Sequence, residues 1–127
     1  MSFTIIDMGS EGFELSANMW TWKPTLEIIR SFNYVNERTL NNMLTNGTGV
    51  KMSQDDANAI GEKIRDVILP QLTPNKRMFG NLTITDKPDD GTFHRDSDEQ
   101  WKNYSASYNW LEEFSAFCIK CKGFQVF

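Results

Sequence analysis

Cys118 and Cys121 carry the one textual match to a reactive motif in this chain, because a C-x-x-C pair can hold zinc or exchange disulfides. The context argues against both. Structural zinc takes four Cys or His ligands, and beyond this pair the chain offers one histidine, His94, and no further cysteine. A redox pair sits at a helix N-terminus, where the dipole lowers the thiol pKa; here the pair falls in the last turn of an expected helix, where the dipole raises it. Two unreactive thiols packed in the core are expected, with no metal and no cofactor. His94 has the ordinary pKa of a general base, and Asp96 or Asp98 is near enough in sequence to orient it, but no motif places a nucleophile. It reads as a solvated side chain.

Asp86-Lys87-Pro88-Asp89-Asp90-Gly91 invites comparison with a calcium loop, which needs oxygen ligands at its third position and Glu at its twelfth. Pro88 and Ser97 occupy those places, so the match fails. Gly47-Thr48-Gly49 has too few glycines and no following Lys-Ser/Thr to cradle a phosphate. No carboxylate sits in an apolar run that would raise its pKa as an acid catalyst requires. Trp20-Thr21-Trp22 is more informative: two indoles one residue apart in an extended segment point to the same side, forming an aromatic ledge flanked by Asn18 and Lys23. Such a ledge stacks a planar ligand or anchors a protein, unless both rings close the core against Trp110 and Phe114.

The elements that must position these groups follow from local pattern. Phe3 and Ile5, then Phe13 and Leu15, alternate as two strands joined through residues 8–12, where Gly9 and Gly12 favour a turn. Pro24 suits the first turn of a helix running to about Phe32 through Leu26, Ile28 and Ile29. Asn36 caps a second helix carrying Leu40, Met43 and Leu44, ended by Asn46-Gly47. Ser53 followed by Gln54-Asp55-Asp56 marks a third helix, on which Ala57, Ile60, Ile64, Val67 and Ile68 recur as one stripe until Pro70 and Pro74 close it. Residues 82–85 alternate as a short strand. Trp101, Tyr104 and Tyr108 lead into a fourth helix, with Trp110, Phe114, Phe117, Cys118 and Cys121 on one stripe beside Leu111, a cationic end at Lys120 and Lys122, and Gly123 as its C-cap. Phe124-Gln125-Val126-Phe127 alternates as a terminal strand tied into a sheet.

Composition narrows the partners. The 127 residues include 17 acidic and 13 basic side chains, for a net charge of −4. An acidic chain repels phosphate, so nucleic acid is not an expected partner. Six carboxylates against two cations between Asp86 and Glu99 account for that whole charge, and Phe93 is the segment's sole apolar residue; residues 86–99 read as an exposed acidic loop. Apolar runs such as Val67-Ile68-Leu69 fall far short of the roughly 20 residues that cross a bilayer, so no membrane is expected. The N-terminal residues lack a basic region and an apolar stretch, which points to the cytoplasm and leaves the sequons at Asn46, Asn81 and Asn103 without meaning. A chain of this length folds as one domain, residues 1–127, able to bury a core without staples.

The combination of Asn18-x-Trp20-x-Trp22-x-Pro24, the Asp56-Ala57 helix start, and Trp110-Leu111-x-x-Phe114-x-x-Phe117-Cys118 followed by Gly123-Phe124 resembles a group of small, uncharacterised single-domain bacterial proteins. Those proteins end in a Phe-Cys helix and a Gly-Gly-Phe turn; Lys122 stands where that turn has its first glycine. The resemblance implies a bacterial, cytoplasmic protein with a compact α+β domain. Its shared residues are structural in type and transfer no catalytic role.

The expected fold is therefore α+β, with about four helices on a small, mainly antiparallel sheet built from the chain termini. The expected function is binding: a protein-interaction domain, in one concrete form an immunity-type inhibitor of a basic partner, using Trp20, Trp22, Asp89, Asp90, Asp96 and Asp98. The rival is a small-ligand binder or enzyme with a pocket lined by Trp20, Trp22 and Trp110 and a polar group from His94 or Lys23. A third arrangement is a homo-oligomer seamed by the tryptophan ledge, which sedimentation reads directly.

Overall fold

Apolar alternation draws the first strands where the sequence predicts them. In the computed structural model, which describes residues 2–9, 12–45, 49–86 and 104–127, β1 (Ser2–Asp7) and β2 (Glu14–Asn18) form an antiparallel hairpin with Phe3 opposite Ala17 and Ile5 opposite Leu15. Phe3, Ile5 and Asp7 all point inward, the period-two consequence of a sheet with one covered face. The terminal strand β7 (Phe124–Val126) pairs with the other edge of β1, setting Ile5 opposite Val126, and β3 (Val50–Met52) pairs with β7. The order is β2-β1-β7-β3, antiparallel throughout. The chain's last residues thus lie in the sheet interior, where Phe124 and Val126 are fully buried.

Asp7 is the polar exception on that inner face. Its Oδ1 accepts from the backbone N–H of Gly9 (3.0 Å) and of Lys122 (2.9 Å), tying the end of β1 to the turn before β7. Burial pushes the carboxyl pKa up, but the N–H donors of Lys122, Gly9 and Phe13, with the Lys122 charge, outweigh it and hold it below the usual carboxylate range. A depressed native pKa stabilises the fold above the unfolded pKa, near 4, and that contribution disappears as pH falls through the lower native value. Asp7→Asn is therefore expected to cost about 2 kcal/mol at neutral pH, the scale of hydrogen bonds to a charged acceptor. Urea melts from pH 7 to pH 2 should show the two proteins converging below pH 4; a constant difference would remove the carboxylate from the explanation.

The helices begin at side-chain caps. Asn18 Oδ1 accepts from Thr21 N (3.0 Å) to start α1 (Met19–Phe32), and Asn33 ends it in the left-handed conformation. This start lies five residues before Pro24, correcting the expectation of an extended 18–22 segment: the Asn18 cap supplies a stronger signal than proline, which sits buried inside the helix. Asn36 caps α2 (Glu37–Met43) through Thr39 N (2.8 Å), and Arg30 joins the two helices by pairing with Glu37 and with Glu27. Asn46 and Gly47, the expected end of α2, lie outside the described residues. Ser53 caps α3 (Gln54–Lys63) through Asp56 N (3.2 Å), as its sequence predicts.

Pro70 does not close that helix. The chain passes from α3 through one π turn, Ile64–Ile68, into α4 (Leu69–Leu72), with Leu69 N–H bonded to Ile64 O five residues back. Pro70 has no N–H to give, and the wider turn absorbs its ring without ending the helix. The extra residue shifts the phase of the stripe, so Ile64 and Ile68 stay buried while Val67, expected in the core, is exposed.

A second sheet is absent from the sequence reading. β4 (Arg77–Phe79) lies between β5 (Ile84–Thr85) and β6 (Ser105–Ser107), both antiparallel to it. Ser107 then caps α5 (Tyr108–Lys120) through Trp110 N (3.1 Å). Gly123, expected as the C-cap of α5, lies beyond it; Cys121 takes the cap position in extended conformation, and Gly123 makes the turn into β7 with φ +92°. The architecture is α+β, with four helical rods packed with two small antiparallel sheets among the described residues. One hydrophobic cluster runs through Phe3, Trp22, Leu111, Phe114, Cys118 and Phe124.

Candidate functional site

The tryptophan ledge dissolves once residues 19–32 are helical. Two residues apart on an α-helix means about 200° of rotation, so Trp20 and Trp22 face opposite ways. Trp22 is wholly buried, with its ring edge-on to Phe114 (5.7 Å between centroids, 84°) and its Nε1–H donating to the Met43 carbonyl at 2.9 Å. Trp110 stacks on Phe114 (5.6 Å, 16°) and donates through Nε1–H to Thr25 Oγ1 at 2.9 Å, fixing α5 to α1. Trp20, Trp22 and Trp110 therefore do not line a common pocket.

Trp20 finds another partner. Half-buried, it lies against Tyr104 with centroids 4.6 Å apart, and the exposed Lys23 sets its Nζ 4.9 Å above the Tyr104 ring. One turn of α1 and the residue just before β6 thereby build a cation-topped aromatic pair at the surface. Tyr104 was named in the sequence only as an approach to α5; pairing it with Trp20 across 84 positions required the fold.

Asp89, Asp90, Asp96, Asp98 and His94 lie outside the described residues. The described chain does place the ends of their segment. Thr85 ends β5 and Ser105 begins β6, and both strands flank β4, so the segment leaves and rejoins one sheet at points separated laterally by two strand spacings, about 10 Å. The Trp20–Tyr104 pair stands beside the point of return.

The thiols are buried, as the sequence predicts. Desolvation pushes Cys118 well above the ordinary thiol range, with the neighbouring Cys121 adding to it, and raises Cys121 as well. Cys121 Sγ–H also donates to the Cys118 carbonyl at 3.3 Å. Thiolate chemistry is disfavoured at both. Among the described residues, no three of His, Cys, Asp or Glu gather as a metal ion would need, and no helix is long and apolar enough to cross a membrane.

Between α4 and α5 lies a groove of about 590 Å³, with Leu69 and Pro70 on one side and Ala116 and Ile119 on the other. Arg65, Tyr108 and Glu112 are its charged and aromatic members. A faint signal exists in sequence: Pro70 inside a helical stripe, and small residues Ser115 and Ala116 on the facing helix.

No family model, curated protein or solved structure matches this chain.

Proposed function

We propose that this chain is a protein-interaction domain that binds a basic partner protein, in the manner of a small immunity protein that neutralises a toxic nuclease. The observation that carries the reading is the Trp20–Tyr104 pair at the surface, whose Tyr104 follows closely in sequence the segment that holds all of the chain's net negative charge. A clustered charge accelerates encounter with an oppositely charged surface, and a neighbouring aromatic pair then supplies the anchor that slows dissociation. Under this reading the protein acts in the bacterial cytoplasm, as its resemblance to the bacterial group implies.

The test is co-purification of the tagged full chain from the organism that encodes it, beside two variants: Trp20→Ala, and Asp89, Asp90, Asp96 and Asp98 all replaced by Asn. A basic protein retained by the wild type and depleted by both changes is expected. Association of that protein should slow about ten-fold with the four-Asn variant at low salt, whereas Trp20→Ala should chiefly hasten dissociation. Identical retention by all three proteins would overturn the reading.

A further inference from the structure

We infer that the groove between α4 and α5 is a binding site for a small amphipathic amine, an aliphatic or aromatic body bearing one ammonium group. Its lining includes neither Trp20 nor Tyr104, and the inference does not rest on the proposed function. Its volume, about 590 Å³, falls within the range of small-molecule pockets, and Leu69, Pro70, Ala116 and Ile119 offer an apolar bed.

The polar groups decide the ligand's charge. Arg65 would attract an anion, but its guanidinium is already held in a forked pair by Asp66, Nε to Oδ1 at 2.8 Å and Nη2 to Oδ2 at 3.1 Å. That pair offsets the guanidinium charge, leaving the Glu112 carboxylate as the uncompensated charge of the lining. The hydroxyl of Ser115, also in the lining, donates to the Glu112 carbonyl at 3.0 Å, so this donor is occupied. Acceptors remain. The Glu112 carboxylate lines the groove, and Tyr108, one turn earlier on the same face of α5, presents a ring suited to a cation.

The π turn adds a further acceptor. Leu69 N–H, which an α-helix would give to Arg65 O, goes to Ile64 O, and Pro70, next in line for the Arg65 carbonyl, has no N–H. The Arg65 carbonyl is thus left without either helical donor, at the turn whose residues Arg65, Leu69 and Pro70 all line the groove. An ammonium group, with three donors and no acceptor, can meet the Glu112 carboxylate and the Arg65 carbonyl together.

Hexylammonium, hexanol and hexanoate, titrated separately into the ¹⁵N-labelled full chain at pH 7, test this. Saturable amide shifts centred on Ala116 and Ile119 are expected with hexylammonium, weaker ones with hexanol, and none with hexanoate. Glu112→Gln should weaken hexylammonium about three-fold, the scale of an exposed ion pair. Ala116→Leu, at an exposed position, should fill the groove and abolish the shifts while the remaining spectrum stays folded. Equal binding of hexanoate, an unchanged affinity in Glu112→Gln, or hexylammonium shifts that avoid Ala116 and Ile119 would each overturn the inference.

Discussion

Replacing Trp22 with alanine should remove about 5 kcal/mol of folding stability, the largest loss expected from any single exposed-to-core comparison along α1. Deleting a fully buried tryptophan costs roughly 3–5 kcal/mol through lost transfer energy and the cavity left behind. The Met43 carbonyl also loses its Nε1–H donor, which adds roughly 1–3 kcal/mol if no water replaces it. Against a total stability of roughly 5–15 kcal/mol, this is enough to bring the protein to the edge of unfolding. Trp22→Phe keeps most of the contact with Phe3 and Phe114 and should cost about 2 kcal/mol. Trp20→Ala, two residues away, should cost about 1 kcal/mol or less because its ring packs at the surface. Thermal melts of the three variants decide the matter: a drop of about 15 °C or more is expected for Trp22→Ala alone. Equal midpoints for Trp20→Ala and Trp22→Ala would mean that α1 is rotated from the orientation described, and with it the assignment of Trp20 to the surface pair.

Gly61 is the second position where one added group should matter. A Cβ there would lie 2.8 Å from Cys118 Cβ, from Ile119 Cγ1 and from the Ser115 carbonyl oxygen. The isoleucine tip can rotate, but a backbone oxygen cannot, so α3 must move off α5. Two effects oppose each other in Gly61→Ala. Alanine gains about 1 kcal/mol in helix propensity, while overpacking costs roughly 1–3 kcal/mol. With three contacts inside van der Waals distance the steric term wins, and a net loss of about 1–2 kcal/mol is expected. Gly61→Val, which adds branched methyls in the same place, should lose about 3 kcal/mol or more. Gly80→Ala is the control, since its added Cβ would come no nearer than 3.6 Å to Glu27 Cγ. Denaturant midpoints in urea measure all three. A Gly61→Val protein as stable as Gly80→Ala would show that α3 and α5 do not approach as closely as described.

Much of the local structure was legible because its signals act between neighbours in the chain. Asn36 and Ser53 bond the backbone three residues ahead, and Phe3, Ile5, Phe124 and Val126 alternate toward one face wherever a sheet forms. Local signals mislead at Pro24 and Pro70, where an asparagine cap upstream or a π turn around the ring outweighs the proline. Val67 reads as core in sequence but is exposed, since a stripe counted at a steady 3.6 residues cannot register one inserted residue. The two-tryptophan ledge was a geometric consequence of an extended segment and vanished when the segment proved helical.

By itself, the sequence determined the α+β class, the starts of α2, α3 and the β1–β2 hairpin, the inward packing of the two thiols, and the concentration of negative charge between Asp86 and Glu99. Tertiary structure alone decided that Trp22 is core while Trp20 meets Tyr104, that three short strands make a second sheet, and that a groove opens beside α5. The physical reason is the range of the forces involved. Caps and alternation are written in adjacent residues, whereas the bonds from Trp22 to Met43, Trp110 to Thr25 and Lys122 to Asp7 span 21, 85 and 115 positions, and their geometry exists only after the chain has closed on itself.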